Sequence, residues 1–292
     1  MSAAPIAIAA TTVDELGESP CWVADAGLLY WVDLRAPALH RLDPATGAVR
    51  SWPMPDLIGA VVARRGGGVV VAVRHGLYGF DPETAKLTLL ASVETGPPEN
   101  RLNDAKCDPA GRIFCGSMWD FGLRSTGGLY RIDAKGAVTQ VRSEVTVANA
   151  IAFAPDGRIL YFTDTRRGVI EQADYDPVTG EIGPWRLFAA AEAAPGRPDG
   201  ATVDAEGYLW NARYQGGCLA RFAPDGRLDR LVELPVSQPT SCAFGGAGLR
   251  ALYVTTARQK LSTEALAEEP LAGALLALDV GVAGLAEPLF VG

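Results

Sequence analysis

Histidine, cysteine and clustered positive charge are scarce in this 292-residue chain, and each shortage removes a class of function. The two histidines, His40 and His75, are too few for a histidine metal cluster, and no Gly-x-Ser-x-Gly elbow accompanies them, which disfavours a Ser-His-Asp hydrolase. Cys21, Cys107, Cys115, Cys218 and Cys242 are scattered, odd in number and free of any Cys-x-x-Cys pair. They read as small apolar residues inside the strands of a reduced, cytoplasmic protein. Against 34 acidic side chains stand 26 basic ones, with a net charge of −8 and no basic run, so the clustered cations that nucleic acid requires are missing. No stretch approaches the roughly 18 uncharged apolar residues of a membrane helix. Residues Met1 to Ala10 are apolar, but no positive residue precedes them and Asp14 and Glu15 soon follow, so they read as a strand rather than a signal peptide. Without a Gly-x-Gly-x-x-Gly or Walker loop, nucleotide cofactors are not expected.

What is present is a repeat. A polar or small residue opens an apolar stretch, a turn follows, and an aromatic-rich run comes next. The pattern runs Glu18-Ser-Pro-Cys-Trp to Leu29-Tyr-Trp-Val-Asp33, Asn103-Asp-Ala-Lys-Cys to Arg112-Ile-Phe-Cys-Gly116, and Asn149-Ala-Ile-Ala-Phe to Leu160-Tyr-Phe-Thr-Asp164. It continues with Asp199-Gly-Ala-Thr-Val to Tyr208-Leu-Trp-Asn211 and Thr240-Ser-Cys-Ala-Phe to Ala251-Leu-Tyr-Val-Thr255, with a weaker copy from Gly59 to Ala72. Starting positions 18, 59, 103, 149, 199 and 240 lie 41 to 50 residues apart. Strand-built repeats of that period indicate a β-propeller. The expected fold is therefore all-β, a six-bladed β-propeller of four-stranded blades around a central channel, formed as a single domain over 1–292. Either Ile6–Ala10 or Pro288–Val291 supplies the outer strand of the last blade. Turns such as Asp43-Pro-Ala-Thr-Gly47 and Asp176-Pro-Val-Thr-Gly180 are hairpin chemistry rather than calcium loops, because no EF-hand spacing is present.

In a propeller the first strand of each blade lines the axis, so Glu18, Asn103, Asn149 and Asp199 are expected to converge at one mouth of the channel. Gly59 and Thr240, small and uncharged at the same phase, are expected to leave room there. Two carboxylates and two amides aimed at one spot repel or stay unsatisfied unless a cation or water joins them. Such an oxygen shell suits one divalent metal cation, calcium, magnesium or manganese, with zinc or iron also open. Both histidines fall on later strands or turns, away from that mouth.

Several segments resemble one family. Leu16-Gly-Glu-Ser-Pro20, Arg101-Leu-Asn-Asp104, Gly116-Ser-Met118, Asn149-Ala-Ile-Ala-Phe-Ala-Pro-Asp-Gly157, Pro198-Asp-Gly200 and Cys242-Ala-Phe-Gly-Gly246 follow, in order and spacing, the SMP-30/gluconolactonase/LRE family, which includes regucalcin and bacterial sugar lactonases. Thr255-Thr-Ala-Arg258 through Ala274 looks most like the bacterial pentono- and hexonolactonases. The family usually has Gly where Ser19 stands, and Asn-Gly where this chain has Asn149-Ala150. The resemblance implies a six-bladed propeller with one divalent metal on the residues matching Glu18, Asn149 and Asp199, and substrate contacts from Arg101 and Asn103. It also implies a gluconolactonase-like hydrolase of carboxylic esters in pentose or hexose catabolism, with a small sugar lactone as its partner and the chain a monomer or weak oligomer.

For that chemistry Asp199 is the candidate general base, or a ligand only. Arg101 offers planar donors for substrate hydroxyls or a developing oxyanion. The loop from Met118 to Gly127 is expected to form a lid, with Trp119 and Asp120 shaping sugar selectivity; Tyr214 and Arg258 are lesser candidates on similar loops. The alternative is a non-catalytic metal-binding or protein-interaction propeller, since Tyr30-Trp-Val-Asp33 and Tyr161-Phe-Thr-Asp164 look like the YWTD repeats of receptor propellers.

Overall fold

Short apolar runs punctuated by Asp- and Gly-bearing turns give 24 strands in the computed structural model, which describes residues 6–292. The first five residues of the expected N-terminal strand lie outside the described residues. The strands form six four-stranded antiparallel sheets arranged as a six-bladed β-propeller. Their innermost strands are Gly17–Val23, Ile58–Ala63, Asn100–Cys107, Ala148–Phe153, Arg197–Val203 and Pro239–Gly245, which we number as blades 1 to 6. Each inner strand packs against the inner strands of the blades on either side, and blade 6 returns to blade 1.

The core is divided accordingly. One apolar cluster fills each of the six blade-to-blade interfaces, for example Tyr30, Trp52, Val61 and Phe80 between blades 1 and 2, and Trp210, Leu219, Phe244 and Leu252 between blades 5 and 6. Strands covered on both faces cannot alternate apolar and polar residues, which is why Val69–Val73 is apolar throughout and wholly buried. Ring closure uses the N-terminal strand: Ile6–Ala10 pairs antiparallel with Leu275–Asp279 as the outer strand of blade 6. Pro288–Val291 does not compete for that place. The last residues instead cross the end of the channel opposite the mouth, bridging Asp204 at Gly284 and Arg64 at Phe290. Lys106 from blade 3 meets Glu287 of this strap at 2.6 Å.

One short helix, Thr263–Glu268, interrupts blade 6 with Ser262 Oγ accepting from the Ala265 amide. No helix among the described residues is long and apolar enough to cross a membrane.

Candidate active site at the channel mouth

Each of the six inner strands slips register at or beside its repeat position. The breaks fall between Glu18 and Cys21, Ile58 and Ala60, Leu102 and Ala105, Asn149 and Ala152, Pro198 and Ala201, and Pro239 and Ser241. Such a bulge leaves residues unpaired and re-aims their side chains. Ser19 and Ala150, each just after its repeat position, are left-handed with φ of 52°, a region that favours glycine. The freed backbone groups find partners in the next blade or strand. Ser19 Oγ accepts from the Val61 amide at 3.0 Å, Asp104 Oδ2 accepts from the Ile151 amide at 2.9 Å, and Asn211 Nδ2 donates to the Asp199 carbonyl at 2.9 Å.

Glu18, Asn103, Asn149 and Asp199 thereby line one cavity at the channel mouth, each 9% exposed or less. Around its rim runs a chain of hydrogen bonds. Arg35 Nη1 donates to Asp120 Oδ2 at 2.9 Å, and Arg101 Nε to Asp120 Oδ1 at 2.6 Å. Arg101 Nη1 donates to Asn103 Oδ1 at 2.6 Å, Asn103 Nδ2 to Asn149 Oδ1 at 2.8 Å, and Asn149 Nδ2 to Thr165 Oγ1 at 2.9 Å. Thr165 Oγ1 in turn donates to the Pro198 carbonyl at 2.8 Å, where the chain stops one residue short of Asp199. The network fixes the amide of Asn149, with its oxygen toward Asn103.

Asp199 stands apart from this network: its buried Oδ1 has no hydrogen-bond partner. Burial, reinforced by Asp104, pushes its carboxyl well above the usual carboxylate range, and burial together with Asp199 and Asp104 does the same to Glu18. Burial also raises Asp104, to about 6. For Asp120 the guanidinium groups of Arg35 and Arg101 outweigh burial and hold it low. No group of three or more His, Cys, Asp or Glu side chains forms a metal cluster among the described residues. What does fit a hard cation is the pair of destabilised buried carboxylates with one orphaned oxygen, beside an amide oxygen held in place.

Other expected residues fall elsewhere. Trp119 lies beside the cavity rather than on it, with the Arg124 guanidinium 4.4 Å from its ring centroid. The Met118–Gly127 loop lines the cavity through Met118, Asp120, Gly122 and Leu123. Tyr214 lines the cavity; Arg258 does not. Neither histidine lines it: His40 bonds Ser51 and His75 bonds the Asn100 carbonyl. Gly59 and Thr240 do not open space for a ligand. A Cβ at Gly59 would sit 2.4 Å from the Leu102 carbonyl oxygen, and Thr240, fully buried, bonds Gly17 and Thr255. Both mark close approach of neighbouring blades. Asp33 and Asp164, which end the YWTD-like segments, accept from the main chain of the loops at Glu15–Leu16 and Thr146–Val147, a structural task.

Sequence reasoning missed Thr165, Arg35, Arg166, Arg197 and Lys260 at the mouth. A signal existed for two of them, since Arg35 and Arg166 each stand two residues after Asp33 and Asp164 at one phase of the repeat.

The chain is 40% identical over 278 residues to a 6-deoxy-6-sulfogluconolactonase from Pseudomonas putida, covering 95% of each. It is 36% identical to the pentonolactonase XacC of Haloferax volcanii, covering 93% of each. A solved structure of a calcium-binding protein, regucalcin, from Agrobacterium tumefaciens superposes with a TM-score of 0.94 at 32% identity, over 99% of both chains. The profile of the SMP-30/gluconolactonase/LRE-like region matches residues 16–258. With its six blades and its repeat positions gathered at one mouth, the chain belongs to the SMP-30/gluconolactonase/LRE-like family.

Proposed function

We propose that the protein is an enzyme, a cation-dependent hydrolase that opens a sugar lactone to its aldonic acid. The observation that carries this reading is the orphaned oxygen of buried Asp199, set beside Glu18 and Asn149 in a cavity that also exposes Arg101. The names of the relatives, lactonases at 36% to 40% identity, support the reaction class.

Glu18, Asn149 and Asp199 would hold one divalent cation; calcium, magnesium and manganese suit the oxygen donors, and zinc or iron also binds such sets. That cation would polarise the lactone carbonyl and help position a water. Asp199 is the proposed base that takes the proton of the attacking water and returns it to the ring oxygen as the acyl C–O bond breaks. Arg101 has its Nε and Nη1 engaged, while its Nη2 makes no hydrogen bond among the described residues and is free for the oxyanion or a substrate hydroxyl. Asn103 contacts substrate and holds Asn149. Asp120 sets the angle of Arg101, and Trp119 supports the loop that bounds the sugar. The five buried thiols, without a disulfide partner, suit a reducing cytoplasm. Every proposed group comes from one chain, taken here as a single domain, so the reading needs no oligomer.

The test is acid release in a pH-stat from a panel of 1,4- and 1,5-aldonolactones, with and without chelator, for the parent and Asp199→Ala. The parent is expected to show a chelator-sensitive rate, and the variant a loss of at least about 100-fold in kcat. A parent rate no greater than spontaneous opening on every lactone overturns the reading.

A further inference from the structure

Three cations on the side of the mouth formed by blades 4, 5 and 6 take no part in the network above. Arg166 follows Thr165 in blade 4, Arg197 opens the inner strand of blade 5 two residues before Asp199, and Lys260 lies on the loop after the second strand of blade 6. All three line the cavity, and none of their side chains holds a carboxylate, carbonyl or aromatic ring among the described residues. All three are exposed at the mouth, unlike the buried and half-buried arginines of the blades. Arg112 is held by Asp108, Arg142 by Glu171, Arg221 by Asp204, and Arg213 by main-chain carbonyls. Lys260 is also set deliberately. Its backbone is left-handed, with φ of 63°, while the Gln259 amide is tied to the Glu15 carbonyl at 2.9 Å and the Gln259 carbonyl accepts from Gln238 Nε2 at 3.0 Å.

Arginine and lysine side chains only donate hydrogen bonds, whereas a sugar hydroxyl both donates and accepts. Three such cations together complement a group that only accepts. The charge balance points the same way. The two carboxylates Glu18 and Asp199 would be compensated by the cation proposed for them, and Asp120 is shared between Arg35 and Arg101. The remaining charge at the mouth is positive on a chain whose net charge is −8. Such a concentration of one sign draws in ligands of the other.

From this we infer that Arg166, Arg197 and Lys260 determine specificity for an acidic substituent, a sulfonate, phosphate or carboxylate, at the end of the substrate remote from the reacting carbonyl. The inference names the substrate class of the lactonase reading and rests on that reading for the lactone and for the cation that offsets Glu18 and Asp199.

Two assays separate the two. Binding is measured by calorimetry with the cation-loaded protein and a pair of inert ligands, a hexitol and the same hexitol bearing a terminal sulfonate. The expected result is at least tenfold tighter binding of the sulfonate, weakening as NaCl is raised, with the preference falling toward unity in Arg197→Gln and in the triple variant Arg166→Gln/Arg197→Gln/Lys260→Gln. Equal binding of the two ligands, or a preference that survives the triple variant in folded protein, overturns the inference. Turnover is measured separately on gluconolactone and its 6-sulfonated counterpart as the ratio of kcat/KM values. A ratio above about 10 that collapses in the triple variant supports the inference, and a ratio near 1 in the parent overturns it. Should neither lactone be hydrolysed while the sulfonate preference holds, the lactonase reading fails and the anion site stands.

Discussion

At the scale of single residues, Ser19 shows how this chain tolerates a non-glycine residue at a position whose backbone favours glycine. The left-handed backbone there, φ 52°, costs a non-glycine residue on the order of 1 kcal/mol. Its hydroxyl offsets that cost by accepting from the Val61 amide at 3.0 Å and donating to the Val61 carbonyl at 3.3 Å, which ties blade 1 to blade 2. Ser19→Ala keeps the backbone requirement and removes only the hydroxyl, leaving a buried amide without its partner. The expected loss is about 1–3 kcal/mol of unfolding free energy, read as a lower denaturant midpoint with an unchanged slope. Ala150 has the same φ with no hydroxyl to compensate, and its Cβ is instead packed in the cluster between blades 4 and 5.

At the scale of elements, the inner strands work through their bulges and through the rim network that joins them. Asn103 is the middle link, receiving Arg101 on its oxygen and donating to Asn149 from its nitrogen. Its replacement by alanine frees Asn149 to rotate and exposes the Ala148 carbonyl, which also accepts from Asn103 at 2.8 Å. Because partners that orient a ligand typically matter 10- to 100-fold in metal affinity, Asn103→Ala is expected to weaken cation binding by about that factor. A dye-competition titration of the cation measures this directly, without any lactone. An affinity within twofold of the parent would remove Asn103 from the role of positioning Asn149.

At the scale of the whole molecule, buried acidic groups gather along the axis of the ring. Glu18 and Asp199 sit at the mouth, Asp104 is buried in the inner strand of blade 3, and Lys106 of the same strand pairs with Glu287 of the C-terminal strap. A carboxyl whose folded-state pKa is raised favours folding while protonated and loses that contribution as pH rises. For Asp104, moved from 3.8 to about 6, the loss falls between pH 4 and 6 and is on the order of 3 kcal/mol. Glu18 and Asp199 act in the same direction. The cation-free protein is therefore expected to lose stability from pH 4 through 6 and beyond. Asp104→Asn keeps an oxygen for the Ile151 amide and removes one of the titrating groups, so thermal unfolding at pH 5 and pH 8 should show a smaller difference than in the parent. A variant with the parent's full pH dependence would contradict this account.

How much of this was legible beforehand follows from the kind of force involved. The six-fold repeat, the strand pattern and the phase of Glu18, Asn103, Asn149 and Asp199 were written in local sequence, because strand packing on two faces demands apolar runs and bulged inner strands demand recurrent small or polar starts. Closure by Ile6–Ala10 rather than Pro288–Val291 was not, since both segments suit an edge strand and only the fit to Leu275–Asp279 separates them. Gly59 and Thr240 were misread as open space because close backbone approach between blades leaves no mark in a single strand. The sequence by itself determined the propeller, its period and the residues offered to the axis. Tertiary structure alone decided that Asp199 would be left without a partner, that Asp120 would be spent on two arginines, and that Arg166, Arg197 and Lys260 would gather unpaired on one sector. Those outcomes depend on which side chains from distant blades arrive at the same mouth, and electrostatics in a buried site acts on that proximity rather than on sequence order.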